Sequence, residues 1–291
     1  MALAYFRKCL ANYPSLVQWY EFTGFLGGSF WVLSLNLLGV QIIQTEKKQK
    51  PILFSLLILF LPMFVSYHLF SDFKNPVNET TRVVIVQPNI DPYTDKFNVG
   101  YEKQLDDFIA LVRPYLNQET KLLIGPETVL LEGIWENKIE ATYSISEFRK
   151  LQNEFPKLNI IVGASTYKIF ENGEGKTKTA REIRNENIFY DAYNSAIFIP
   201  DSGTVKVYHK TKLVPGVEKM PFPKLLDKFT EFAVSLGGIN GSLGSENRTN
   251  LFLVGNKTVK PLICYESIYG DLKSDDSDII VINALTSKPK F

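Results

Sequence analysis

An α/β domain preceded by two membrane-spanning helices is the fold class this sequence predicts, on three observations. Two uncharged apolar runs, residues 23–44 and 51–70, lie near the N-terminus. Beyond residue 80, short runs of Val, Ile and Leu alternate with segments whose apolar residues recur at helical spacing. Those short runs are almost free of polar residues, as strands buried on both faces are. With 291 residues the chain has room for one large domain and an appendage.

The first apolar run, at about 1.5 Å per residue, is long enough to cross a hydrocarbon core of roughly 30 Å. The second is near the shorter limit and contains Pro62, which a membrane helix tolerates better than an exposed soluble one. Only Glu46 to Lys50 separate them, so the two helices are expected to form a hairpin. Gly24, Gly27, Gly28 and Ser29 give one end of the first span a small-residue surface that lets another helix approach. A pair of buried helices in a soluble core is the alternative. Arg7 and Lys8 precede the hairpin while Lys47, Lys48 and Lys50 sit in its turn. The positive-inside bias favours a cytoplasmic turn and an external globular domain, and a signal-anchor reading gives the opposite.

A membrane segment over residues 1–72 and a globular domain over 80–291 follow, joined by a linker near 71–80. The first strand is expected at Val83 to Val86, then a helix over Tyr101 to Asn117, with Leu105, Phe108, Ile109, Val112 and Leu116 on one face. Leu122 to Ile124 make a buried strand that Pro126 ends. A helix around Ser146 to Glu154 and strands at Ile160 to Ala164 and Ala196 to Ile199 come next. The turn Asp201 to Gly203 and the alternation of Val205, Val207 and Tyr208 predict a β-hairpin. Further strands are expected at Leu251 to Val254, Leu262 to Cys264 and Ile279 to Ile282. The sum is a strand-rich sandwich rather than a barrel of equal βα units.

Composition removes some functions. The net charge is +1 and the two histidines are far apart, so neither a nucleic-acid footprint nor a histidine-based metal site is expected. Cys9 and Cys264 are the only cysteines and predict no disulfide framework.

Three residues stand at strand ends: Glu127 after Pro126, Lys210 after Tyr208, and Cys264 after Ile263. A carboxylate, an ammonium and a thiol suffice for cysteine nucleophilic catalysis without histidine. The carboxylate takes the thiol proton, and the ammonium favours the thiolate and stabilises an oxyanion. Each has a plainer reading: Glu127 as a first-turn acid of a helix, Lys210 as a solvated residue after a hairpin, Cys264 as a small buried hydrophobe.

The surrounding segments carry a resemblance. Residues 125–128 (Gly-Pro-Glu-Thr), 208–218 (Tyr-His-Lys-Thr-Lys-Leu-Val-Pro-Gly-Val-Glu) and 263–267 (Ile-Cys-Tyr-Glu-Ser) look like the three signature segments of the nitrilase, or carbon-nitrogen hydrolase, superfamily. Tyr265-Glu266 after the cysteine, the Leu-Val-Pro stretch with Glu218, residues 191–196 (Asp-Ala-Tyr-Asn-Ser-Ala) and residues 17–24 (Val-Gln-Trp-Tyr-Glu-Phe-Thr-Gly) resemble its apolipoprotein N-acyltransferase branch. The resemblance implies a nitrilase-like αββα sandwich and a Glu127–Lys210–Cys264 triad. It also implies supporting carboxylates at Glu218 and Glu266, and an oxyanion donor at the Tyr265 N–H beside Lys210. The implied reaction moves an acyl chain from a membrane phospholipid, phosphatidylethanolamine in particular, through a cysteine thioester to the N-terminal amine of a diacylglyceryl apolipoprotein. No cofactor or metal is implied. The implied location is the bacterial inner membrane, multi-pass, with the catalytic domain on the periplasmic side. Family members usually carry more membrane helices before this segment and more strands after Asn283, so truncation at both ends, an incomplete sandwich and little activity alone are expected. A membrane-tethered amidase or nitrilase and a non-catalytic fragment are the rival readings.

Overall fold

The computed structural model describes residues 12–72, 80–88, 100–183, 187–219, 242–247, 250–273 and 277–284. Arg7, Lys8, Cys9 and the centre of the expected linker lie outside them. The chain divides into two compact units, residues 1–80 and 81–291.

In the first unit, α1 (Tyr20–Gln44) and α2 (Gln49–Asp72) are both long and apolar enough to cross a membrane, with only 6% of each apolar stretch buried. The soluble-core alternative requires buried helices, and Phe30, Leu37, Ile43 and Leu53 are each more than half exposed. The two helices pair antiparallel, with the Trp19 N–H donating to Ser66 Oγ (3.1 Å) at one end and the Trp31 indole donating to the Ile58 carbonyl (2.6 Å) further along. That second bond repairs α2. Pro62 has no N–H to give the carbonyl four residues earlier, which is that of Ile58, and the indole of the neighbouring helix supplies the missing donor. Gly24 is a break in α1 with φ +63°, and Trp19, Tyr20 and Thr23 fill the space over Gly27 and Gly28.

The second unit is built on a seven-stranded sheet. Its elements are β1 (Arg82–Ile85), α3 (Tyr101–Val112), β2 (Thr120–Ile124), β3 (Leu130–Trp135), α4 (Tyr143–Glu154), β4 (Asn159–Glu171), β5 (Arg181–Ile183), β6 (Ile188–Ile199) and β7 (Lys206–His209). The path β1-β2-β4-β6-β5 is parallel from β1 to β4 and antiparallel at β6, with β3 on β4 and β7 on β6 as lateral strands. A second sheet, β8 (Phe252–Val254), β9 (Lys257–Ile263) and β10 (Ile279–Asn283), runs in the order β10-β9-β8.

Strand alternation sends each face of the large sheet to a different core. Leu123, Ile160, Val162, Ile197 and Ile199 pack under Leu105 and Phe108 of α3 and Ile145 and Phe148 of α4. Leu122, Ile124, Ile161, Ala196 and Phe198 pack on Phe252, Val259, Ile263 and Val281 of the small sheet, with the rings of Phe198 and Phe252 stacked at 4.6 Å. The layers are helix, sheet, sheet, so three of the four layers of a nitrilase-like sandwich lie within the described residues.

Several elements differ from expectation. α3 stops at Val112 and Pro114 turns the chain through a short 3-10 segment, since proline cannot donate to a continuing helix. β4 and β6 extend to Glu171 and back to Ile188 as a long antiparallel arm. β3 and β5 were not expected, because Leu130–Trp135 and Arg181–Ile183 carry charges and lack a clear period-two pattern. No helix follows Glu127, where the chain turns directly into β3.

Candidate active site

Glu127, Lys210 and Cys264 come from three strand ends, those of β2, β7 and β9. β2 ends at Ile124, and the Gly125 N–H donates to the Ile161 carbonyl (2.9 Å) while the Gly163 N–H donates to the Pro126 carbonyl (3.0 Å). The Pro126–Glu127 backbone therefore lies directly on β4. Only glycine fits at position 163, because an added Cβ would stand 2.0 Å from the Glu127 carbonyl oxygen. From the neighbouring sheet, the Asn283 amide at the end of β10 donates to the Gly125 carbonyl (2.7 Å).

The end of β7 is held by the Lys210 N–H bond to the Asn194 carbonyl (2.9 Å). The Lys210 side chain is 1% exposed and donates to Glu218 Oε1 at 2.8 Å and Glu127 Oε1 at 3.3 Å. It is thus no solvated residue after a hairpin. The Asn194 amide bridges the same two carboxylates, donating to Glu127 Oε1 (2.7 Å) and Glu218 Oε1 (2.9 Å). Glu218 also receives the Val214 N–H through Oε2 (2.8 Å), which closes the Lys210–Glu218 loop on itself.

Cys264 follows β9 directly and takes a left-handed backbone conformation, φ +48°. A cysteine adopts that region only where its surroundings impose it, and such positions concentrate at functional sites. The clamp is Glu266, fully buried, whose Oε2 accepts the Ile263 N–H (2.8 Å). Its Oε1 accepts from Tyr208 Oη (2.9 Å), the Thr211 N–H (2.6 Å), Thr211 Oγ1 (2.7 Å) and the Lys212 N–H (3.2 Å). One carboxylate thus ties the turn bearing the thiol to the loop bearing Lys210. Burial, and after it the Glu266 charge, push the buried Tyr208 hydroxyl well above the ordinary phenol range. Tyr265 packs its ring edge-on against Tyr269 at 5.4 Å, and Lys212 Nζ lies 5.2 Å from the Tyr269 ring.

Electrostatically the resting site favours a neutral thiol. Burial pushes the half-buried Cys264 thiol up, the Glu127 carboxylate pushes it further, and the Lys210 ammonium opposes both without prevailing. Lys210 acts in the expected direction but does not by itself deliver a thiolate. Burial works against the Lys210 charge too, yet its hydrogen bond to Glu218 and the charges of Glu127 and Glu218 hold the ammonium above its ordinary range. The arrangement sets a thiol within electrostatic reach of a carboxylate and an ammonium that are themselves ion-paired at 3.3 Å.

All six residues singled out from sequence, Glu127, Lys210, Cys264, Glu218, Glu266 and Tyr265, fall in this one region. Sequence reasoning passed over Asn194, Gly163 and Asn283 as site residues. Asn194 lies in the quoted 191–196 segment, and a glycine inside an apolar strand is itself a signal of close backbone approach.

No family model matches the chain. It is 26% identical over 279 residues to the apolipoprotein N-acyltransferase of Chlorobaculum tepidum, covering 91% of this chain and 50% of that protein. To the apolipoprotein N-acyltransferase of Thermotoga maritima it is 25% identical over 289 residues, covering 94% and 46%. The chain thus spans about half the length of the curated relatives it matches. Among solved structures it bears a distant likeness to a CN-hydrolase superfamily protein from Xanthomonas campestris, at TM-score 0.42 and 14% identity over 71% of this chain and 65% of the other. It bears a similar likeness to an amidase from Nesterenkonia sp., at TM-score 0.40 and 12% identity over 70% and 64%.

Proposed function

We propose that this chain, a relative of the apolipoprotein N-acyltransferases, carries the acyl-transfer site of such an enzyme, with Cys264 as nucleophile. The observation that carries the proposal is the half-buried thiol held in a left-handed turn against Glu127, which is itself held by Lys210 and Asn194.

The donor is the acyl ester of a membrane phospholipid, phosphatidylethanolamine in particular. Glu127 takes the thiol proton as the sulfur attacks the ester carbonyl. Lys210 and the Tyr265 N–H stabilise the negative oxygen that develops. The ester C–O bond breaks, the lysophospholipid leaves with the proton returned from Glu127, and a thioester remains. The free α-amino group of a diacylglyceryl-cysteine apolipoprotein then attacks the thioester, loses a proton to Glu127, and expels the sulfur. The nitrogen keeps the acyl chain and Cys264 regains its proton.

Both substrates are lipid-anchored, which matches a chain carrying two helices of membrane-spanning length. We read the location as a bacterial inner membrane with the globular unit on the periplasmic side. Glu218 and Glu266 position Lys210 and Cys264 rather than meeting substrate.

The test is incubation of the full chain with phospholipid labelled in its acyl chains, followed by denaturing gels with and without hydroxylamine. A hydroxylamine-sensitive label on the wild type, absent from Cys264→Ala, is expected. Its absence from wild type, with release of amine or ammonia from small amides, would replace this reading with a tethered amidase.

A further inference from the structure

Trp135, Tyr167 and Tyr190 form a cluster that the chemistry above does not use. Their ring centroids lie 5.2, 5.7 and 6.1 Å apart, and all three are partly exposed. The strand register fixes which side of the large sheet they occupy. Trp135 of β3 is paired with Tyr167 of β4, which is paired in turn with Ala192 of β6. Two residues along, Asn194, the amide that bridges Glu127 and Glu218, is paired with Ser165. Alternation puts Tyr190, Ala192 and Asn194 on one face. Their neighbours on the other face are spoken for: Ile134 is buried in the helix-clad core, and Thr166 and Tyr193 are buried on the same side. The aromatic surface is therefore a continuation of the face that bears the carboxylate of the site. It begins about 7 Å from Asn194 along the strands and reaches about 14 Å, at roughly 3.4 Å per residue.

We infer that this aromatic surface is the seat of the aliphatic chain carried on Cys264, an inference that rests on the acyl-transfer reading above. A thioester on Cys264, which packs from the small sheet against the core on this side of the large one, requires a path for an alkyl chain away from the carbonyl. The arm made by β4 and β6 offers, on the same face as the carboxylates, three rings already partly out of water. The rings meet at interplanar angles of 32° to 58° and touch one another, which makes a continuous apolar floor rather than the parallel walls that clasp a cation or a flat ring. A methylene chain lying on such a floor removes apolar area from water on both sides.

The test needs no turnover. The full chain with Cys9→Ser, so that Cys264 is the single thiol, is alkylated in detergent by N-ethyl and by N-dodecyl iodoacetamide, and the ratio of the two rates is measured. The dodecyl-to-ethyl ratio is expected to fall about tenfold in Trp135→Ala with Tyr190→Ala, the factor that roughly two methylenes left in water represent. The ethyl rate is expected to stay unchanged, which shows that the thiol site remains folded. Leu253→Ala, an exposed residue on the other sheet, is expected to leave the ratio alone. An unchanged ratio in the aromatic variant, or a wild-type ratio no larger than that variant's, overturns the inference. Loss of thioester formation from phospholipid with this chain-length preference intact would instead overturn the acyl-transfer reading and leave the alkyl seat standing.

Discussion

At Cys264, burial and the Glu127 carboxylate act together against the thiolate, and Lys210 acts against them. With the folded-state pKa raised, the thiolate is scarce at pH 7, and alkylation by a small reagent should keep accelerating above pH about 8.5, where a free thiol levels off. The same geometry separates reactivity from catalysis. Glu127→Gln keeps the size of the side chain and removes its charge, so the thiol pKa falls and iodoacetamide reacts faster at pH 7. On the proposed mechanism, acyl transfer should fall on the order of 100-fold to 10,000-fold, because that mechanism has Glu127 accept and return the proton. A variant slower in both measurements would mean that Glu127 serves only to shape the site. Glu266 is legible in structural terms too: five hydrogen bonds converge on one buried carboxylate, and hydrogen bonds to a charged group are about twice as strong as neutral ones.

Among the elements, the helix hairpin carries a dependence that neither helix carries alone. Pro62 leaves the Ile58 carbonyl without its helical donor, and Trp31 of α1 supplies one. Trp31→Phe keeps an aromatic ring and deletes the N–H, so an acceptor is left open in an apolar setting. The hairpin should lose about 1 kcal/mol, read as a lower midpoint in a denaturant titration in detergent. Adding Pro62→Ala, which restores the N–H inside α2, should recover most of that loss. Loss of stability equally large in the Pro62→Ala background would show that the indole contributes by packing and not by its hydrogen bond. The β4–β6 arm shows the converse case, an element longer than its local pattern predicts. Its outer half mixes charged, polar and aromatic residues, and pairing over twelve positions with the partner strand stabilises it.

For the molecule as a whole, two helices with most of their apolar surface exposed and a globular unit with its own two cores imply different attachments to the cell. Exposed Phe, Leu and Ile side chains around α1 and α2 leave water at about 25 cal/mol for each Å² that lipid covers, far more than an electrostatic contact at the bilayer surface supplies. The chain should therefore stay with the membrane pellet through an alkaline carbonate wash and leave it only in detergent, as followed by immunoblot. Release by carbonate would mean that the two helices are buried in some soluble assembly. The functional proposal would then lose its reason for lipid-anchored substrates.

The sequence by itself determined the class of fold, the two apolar helices and their hairpin, most strands of the large sheet, and the residues that meet at the site. These follow from local signals: uncharged length, apolar runs, turn residues, and short motifs resembling a known family. Tertiary structure alone decided that Lys210 is buried between two carboxylates, that Asn194 bridges them, that Gly163 makes room for the Glu127 backbone, and that the thiol rests protonated. The physical reason is that charge state, burial and close approach depend on which distant strands lie side by side. Periodicity along one strand reports only whether its own faces are wet or dry.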